Sequence, residues 1–299
     1  MTLDIPNDLI HRFLFDESDV RGEIVTLKHS FQDAVESQNL PADILPLFGQ
    51  FLAAASMLSD VLKFDGILTL QARGDGPVPI IMAEANNKGD LRGVVNVVAP
   101  DSLLTDDTNQ LKTLSELLGK GVLTLTLDPK NGQRYQGIVP LDGADLGECI
   151  EHYFEQSEQI PTQVVLFSDA ERCGGIFLQC LPAQKLPDPG QRQELWETTM
   201  QLAGTIKTEE FFALDHATIL FRLFNELSCR IFEPKTLQFK CSCSKARSAR
   251  ALHALDKDEL VALLQEQQSI ALDCQFCGTQ YSYDTDDINA VLQDQKTMH

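Results

Sequence analysis

Four cysteines near the end of the sequence constrain this chain more than any other feature. Cys241-Ser242-Cys243 is followed, thirty residues on, by Cys274-Gln275-Phe276-Cys277. Two close pairs at that separation can supply four thiolates to one tetrahedral zinc ion, with Zn–S bonds of about 2.3 Å. The segment from Lys235 to His299 has a small apolar complement, and so short a unit rarely folds on hydrophobic burial alone. A structural zinc site, with an apparent binding energy of about 10–16 kcal/mol at pH 7, can staple it. A helix is predicted over Lys257–Gln267, with Leu260, Leu263 and Leu264 on one face, carrying the chain from one cysteine pair to the other. Cys277-Gly278 supplies the tight turn that a zinc knuckle needs.

The spacing leaves two readings open. The simpler one is a purely structural site. The other is a redox switch, for three reasons. Zinc keeps all four cysteines as thiolates, the form that oxidants attack. Each pair is close enough to close a local disulfide once the metal leaves. The C-x-C ring of Cys241 and Cys243 is tight, so its disulfide should be strained and readily reduced.

Charge and compartment narrow the partners. The 299 residues carry a formal charge of −20, and the isoelectric point is near 4.6. Such a chain repels phosphate backbones and anionic lipid, so neither nucleic acid nor a membrane is expected as a partner. Met1 to Asp8 lacks the basic and apolar regions of a signal peptide, and the longest apolar stretch, around Phe51–Leu58, is too short to span a bilayer. A cytoplasmic location is expected, where clustered cysteines more often bind metal or do redox work than form static disulfides.

Along the chain the pattern is α+β. After a helical or mixed start, Glu23–Leu27 alternates as a strand, and Asp43–Lys63 reads as a helix stopped by Asp65-Gly66. Strand patterns follow at Ile67–Gln71, Pro79–Glu84, Gly93–Val98 and Val122–Leu127. A hairpin turn is expected at Asn131-Gly132, returning through Tyr135 to Val139. Leu146–Ser157 reads as a helix, with strands at Val164–Phe167 and Gly174–Gln179. These elements imply a largely antiparallel sheet or pair of sheets over residues 1–182. The Pro-rich stretch Leu181 to Gly190 marks a boundary. From Gln191 to Phe232 the pattern is helical throughout, with Thr208 expected to cap a second helix. Residues 183–234 are thus expected as a helical linker and 235–299 as a zinc module. By periodicity alone, the linker is an ordinary amphipathic subdomain packed in a permanent core.

The remaining candidates are weaker. Cys149, Cys173, Cys180 and Cys229 lie in apolar or strand-like contexts and read as buried small hydrophobes. His11, His29, His152, His216, His253 and His299 show no metal-ligand spacing. Gly119-Lys120-Gly121 lacks the rest of a phosphate loop. Asp284, Asp286 and Asp287, which follow Tyr281 and Tyr283, suit a solvated face or a helix N-terminus better than a calcium loop. Nothing argues for an enzyme.

Taken together, the motifs resemble those of the 33 kDa chaperonin family of redox-regulated heat-shock chaperones. The resemblance rests on Val20-Arg21-Gly22, Leu62-Lys63-Phe64-Asp65-Gly66, Leu68-Thr69-Leu70-Gln71, Gly74-Asp75-Gly76-Pro77 and Leu91-Arg92-Gly93. It continues through Leu118–Gly121, Tyr135–Val139, Tyr153–Gln159 and Gly174-Gly175 to Phe239–Ser244 and Cys274–Cys277. It implies an ATP-independent holdase, inactive while one zinc per chain sits on Cys241, Cys243, Cys274 and Cys277. It also implies that peroxide with heat, or hypochlorite, forms Cys241–Cys243 and Cys274–Cys277 disulfides and expels zinc. The linker would then loosen, the chain would dimerise, and unfolding client proteins would bind. Leu195, Trp196, Phe211, Phe212, Leu220, Leu223 and Phe224 are the expected client-binding residues.

Two other classes compete. A zinc-ribbon adaptor would dock a protein partner through a rigid knuckle. It would not dock nucleic acid, since Lys235–His299 holds seven Lys/Arg against nine Asp/Glu. A thiol oxidoreductase using Cys274 and Cys277 would need a thioredoxin-like βαβ setting, which the neighbouring sequence lacks.

Overall fold

The computed structural model describes residues 7–98 and 112–297. The chain forms two compact units, Met1–Lys240 and Cys241–His299.

The first unit is built on one buried helix. Helix α2 (Leu45–Val61) begins with Pro46 in its first turn, where a missing N–H costs nothing, and continues as an apolar, small-residue run. It is apolar around its whole circumference, so it has to be covered on every side. Two six-stranded sheets cover it. The first has the order β10-β1-β2-β9-β8 and contains β1 (Leu9–Phe15), β2 (Val20–Leu27), β8 (Thr162–Ser168), β9 (Cys173–Cys180) and β10 (Cys229–Ile231). Strand β11 (Lys235–Thr236) also pairs with β1. The second has the order β12-β5-β4-β3-β6-β7, from β3 (Gly66–Gly74), β4 (Ile80–Asn86), β5 (Asp90–Asn96), β6 (Gly121–Pro129), β7 (Tyr135–Pro140) and β12 (Gln238–Phe239). The pairings are antiparallel except that of β12 with β5. Close approach on both sides of α2 depends on glycine. A Cβ on Gly49 would lie 2.7 Å from Cys173 Cβ of β9, and one on Gly93 of β5 would lie 2.6 Å from Phe48.

By length and composition Ala42–Val61 is apolar enough to cross a bilayer, although the longest uninterrupted apolar stretch reads as too short. The fold puts it elsewhere: 83% of that window is buried between the sheets. The helix ends at Val61 with Leu62 as its cap, and Lys63 takes the left-handed conformation (φ +45°). The stop thus comes two residues before the expected Asp65-Gly66.

Two-residue alternation gives the first sheet a second apolar face. Val25, Leu27 and Phe177 point to the α2 core, while Phe13, Phe15, Ile24, Ile176 and Leu178 point away from it. Helices α5 (Pro189–Ala203), α6 (Thr208–Ala213) and α7 (His216–Phe224) cover that outer face. Asp188 and Asp215 cap α5 and α7 by accepting from Gln191 N (2.8 Å) and Thr218 N (2.9 Å). Thr208 is the first residue of α6 rather than its cap, and Lys207 stands at the cap position without a side-chain bond. The Pro-rich stretch before α5 is pinned by Asp19, whose carboxylate accepts the backbone N–H groups of Gln184, Lys185 and Leu186.

Several elements differ from the sequence patterns. The mixed start contains strand β1 before α1 (His29–Glu36). The loop at Asn131-Gly132 spans Lys130–Arg134, longer than a two-residue turn. The α4 helix (Leu146–Tyr153) gives way to a wider π turn over Phe154–Glu158. Strand β10 lies inside the stretch read as purely helical. Short strands such as β10, β11 and β12 carry no period of their own; an edge strand already in place draws them in.

The second unit contains α8 (Lys245–Ser248), α9 (Lys257–Gln267), the hairpin β13 (Ile270–Asp273) and β14 (Gln280–Tyr283), and α10 (Thr285–Thr297). Helix α9 has the predicted limits and opens on a capping box formed by Asp256 and Glu259. Asp284 caps α10, accepting from Asp286 N and Asp287 N at 3.0 Å each, as a helix N-terminus requires. The core is Leu252, Leu260, Ile270, Tyr283, Ile288 and Val291.

Candidate metal centre

The four cysteines meet inside the second unit. Their Sγ atoms all lie within 4.8 Å of one another, each half-buried. Cys241 Sγ is 3.6 Å from Cys274 Sγ, and Cys243 Sγ is 3.4 Å from Cys277 Sγ. Bonds of about 2.3 Å in a tetrahedron place neighbouring sulfurs about 3.8 Å apart. The donor set therefore fits a tetrahedral thiolate site for one metal ion. No other group of three or more such ligands meets in this way among the described residues.

Two local structures aim the sulfurs. Cys274–Cys277 forms the turn of the β13–β14 hairpin. Asp273 pairs with Gln280, and Cys274 donates its N–H to Thr279 O at 2.9 Å. Gly278 closes the turn by donating to Cys274 O at 2.8 Å, in a left-handed conformation (φ +67°) that suits glycine. Ahead of α8, the Cys241–Cys243 arm is held by Arg247, which donates to Ser242 O at 2.9 Å and to Ser242 Oγ at 2.6 Å. Tyr283 fastens this arm to the hairpin by donating to Lys245 O at 2.7 Å. Lys245 in turn pairs with Asp287 at 2.6 Å.

Polar neighbours set the character of the sulfurs. Tyr281 donates its hydroxyl to Cys243 Sγ at 3.1 Å, and this bond to the sulfur pushes the phenol up to about 12. Burial acts upward on Cys277, but hydrogen bonds with Thr279 and with the sulfurs of Cys243 and Cys241 together outweigh it and bring the thiol down to about 7. Burial raises Cys274. A site in which one thiol is near ionisation at neutral pH is ready to bind metal. Sequence reasoning found the four sulfurs but gave Tyr281 and Thr279 no role at the site. The usable signal was position: Thr279 ends the knuckle, and Tyr281 lies on the strand that leaves it.

The other cysteines are elsewhere. Cys149, Cys173 and Cys180 are buried in the first unit, Cys229 is half-buried, and burial raises all four thiols. His11 and His216 do meet, Nδ1 to Nδ1 at 2.8 Å, and His216 Nε2 bonds Thr26 Oγ1 at 2.8 Å.

Of the residues expected to bind clients, all but Leu195 lie in or against the cluster on the outer face of the first sheet. Trp196, Phe211, Phe212, Leu220 and Phe224 are buried there, and Leu195 and Leu223 are half-buried. Phe211 stacks on Phe167 at 4.3 Å, and Phe224 meets Phe15 edge-on at 5.1 Å. In this state the surface is covered by its own sheet.

Comparison with known proteins extends over the whole arrangement. The family described as Hsp33 protein matches residues 8–284. The 33 kDa chaperonin of Pseudomonas aeruginosa is 46% identical over 283 residues, covering 94% of this chain and 93% of that one. That of Azotobacter vinelandii is 43% identical over 282 residues, with 94% and 93% covered. The crystal structure of the 33 kDa chaperonin of Thermotoga maritima matches with a TM-score of 0.81 at 22% identity, over 98% of this chain and all of that one. At that identity the structural likeness speaks for the fold.

Proposed function

The chain belongs to the Hsp33 family, and on that footing we propose that it is a redox-regulated, ATP-independent holdase. The observation that carries the reading is the set of four sulfurs within 4.8 Å, in a unit with few buried side chains of its own. Bound zinc would supply folding energy to that unit and hold its cysteines as thiolates. Oxidation takes two electrons from each pair, Cys241 with Cys243 and Cys274 with Cys277. For each pair, one peroxide accepts the two electrons with two protons and leaves as two waters. A sulfur tied into a disulfide no longer serves as an anionic ligand, so the unit loses its staple.

The responder in this reading is the α5–α7 layer. The stretch just before Cys241 is held to the sheets by β10, β11 and β12, each two or three residues long. Such short edge pairings open at low cost. Their release would loosen α7 and uncover the aromatic surface of Trp196, Phe211, Phe212, Leu220 and Phe224, with Leu195 and Leu223 at its margin. Apolar surface of this kind binds unfolding clients without side-chain specificity. The charge of −20 keeps the loaded complex in solution. The active form is a homodimer, the location is cytoplasmic, and catalysis plays no part.

One experiment tests the reading. Reduced, zinc-loaded protein is treated with peroxide at raised temperature while zinc release and aggregation of a heated client are followed in the same sample. Zinc release and suppression of aggregation should rise together. The double variant Cys241→Ser, Cys274→Ser should lose oxidant-triggered activation; if it keeps it, the trigger lies elsewhere. Tightly held zinc with no gain in suppression favours an adaptor with a structural site.

A further inference from the structure

Beyond the end of α2 the inner face of the first sheet changes character. Near α2 that face carries Ile10, Val25 and Leu27, all in the core. Further along the same strands it carries Arg12 opposite Glu23 and Leu14 opposite Arg21. Strand alternation would continue the core there, but the chain places ions, and α2 stops at Val61. A cavity of about 860 Å³ opens at this point, lined by these residues with Asp60 and Lys235, and with Phe64, Phe177 and Phe232 among its apolar groups.

The ions are organised. Arg12 Nε donates to Asp60 Oδ2 at 2.5 Å and to Glu23 Oε1 at 3.3 Å, and Lys235 pairs with the other oxygen of Asp60. Arg21 donates to a neutral partner, Gln179 Oε1, at 2.7 and 3.2 Å. Glu23 is 4% exposed, and its Oε2 has no hydrogen-bond partner among the described residues. Burial pushes the Glu23 carboxyl up to about 8, against the pull of Arg12, so at neutral pH it is mostly a neutral acid. Three cations then face one charged carboxylate, Asp60. At the rim Lys63 and Glu233 offset each other, and Asp65 pairs with Lys130 at 2.8 Å. A net positive, half-apolar cavity is an unexpected feature in a chain of −20. The two carboxylates are buried while Arg12 and Lys235 stay partly open to the cavity, where a ligand can reach them.

We infer that this cavity binds a small organic anion, its carboxylate or phosphate seated between Arg12 and Arg21 and its apolar body against the phenylalanines. Protonated Glu23 offers the same ligand a hydrogen bond. Occupancy would stabilise the first unit by mass action.

The test uses the full reduced, zinc-loaded chain, with benzoate and phenyl phosphate as probes and benzylammonium as the opposite-charge control. Binding is read by calorimetry and by the thermal midpoint of the first unit. At least one anion should bind saturably with Kd below about 1 mM, and the cation should not. Arg21→Gln should weaken binding at least about tenfold. Leu14→Trp, which fills the cavity without removing a charge, should abolish it, so the inference stays testable if Arg21→Gln fails to fold. Equal or tighter binding of benzylammonium overturns it, as does anion binding that survives both variants, or no saturable binding of either anion up to about 10 mM. Because the readout is binding, the result is independent of the oxidation experiment.

Discussion

The two units hold themselves together by different means. In the first, α2 is buried between two sheets, and a second apolar cluster lies under α5–α7. The α2 core does not draw on the sulfur cluster, since the four cysteines of this unit are free and lie outside it. In the second, six side chains buried among the described residues share the work with four sulfurs that can hold a metal. On the proposed reading, closing those sulfurs into disulfides would take the ligands from the second unit and none from the first.

Metal removal should break the comparison most strongly. Chelation of the reduced protein should unfold Cys241–His299, with a loss on the order of 10 kcal/mol, while α2 keeps its protection. Hydrogen exchange checks this: persistent protection of Lys257–Gln267 without metal would show that the small core suffices. The reciprocal change is Phe48→Ala, which removes a fully buried ring from the α2 core. It should cost the first unit about 3–5 kcal/mol in denaturant unfolding and leave zinc content unchanged.

Acid should weaken the first unit through one histidine. Burial, with His11 beside it, brings His216 down to about 3 from an ordinary 6.5. Above pH 6.5 it is neutral in both folded and unfolded chains and contributes no slope. Below 6.5 the unfolded chain takes up a proton that the folded chain refuses, so stability falls, by about 2 kcal/mol at pH 5. The loss levels off near pH 3. Trp196, the single tryptophan, lies in the same cluster and reports it by fluorescence; His216→Gln should flatten the slope. The smallest effect belongs to Tyr281→Phe. Without its hydrogen bond to Cys243 the site should hold metal up to about tenfold more weakly and release it faster under peroxide, as a chromogenic chelator would show.

Much of this was legible in advance. The long elements with a clear period (α2, the strands β3 to β9, and α9) stand close to where alternation and helical spacing put them. The cysteines read as ligands from spacing alone. What escaped were pieces without a period: β10 to β12, the π turn after Tyr153, and the polar contacts of Tyr281 and Thr279. A two-residue strand exists only because an edge offers it hydrogen bonds, and a phenol becomes a sulfur's partner only when a hairpin brings it round.

The sequence by itself determined which residues could be buried, which sulfurs could share a metal, and that the chain would be α+β, because hydrophobic period and ligand type are local properties. Only the tertiary structure decided that the α5–α7 aromatics lie hidden against the first sheet, and that Arg12, Arg21 and Glu23 face a cavity rather than solvent. Those outcomes depend on where α2 stops relative to strands far away in the chain, and no local pattern encodes that distance.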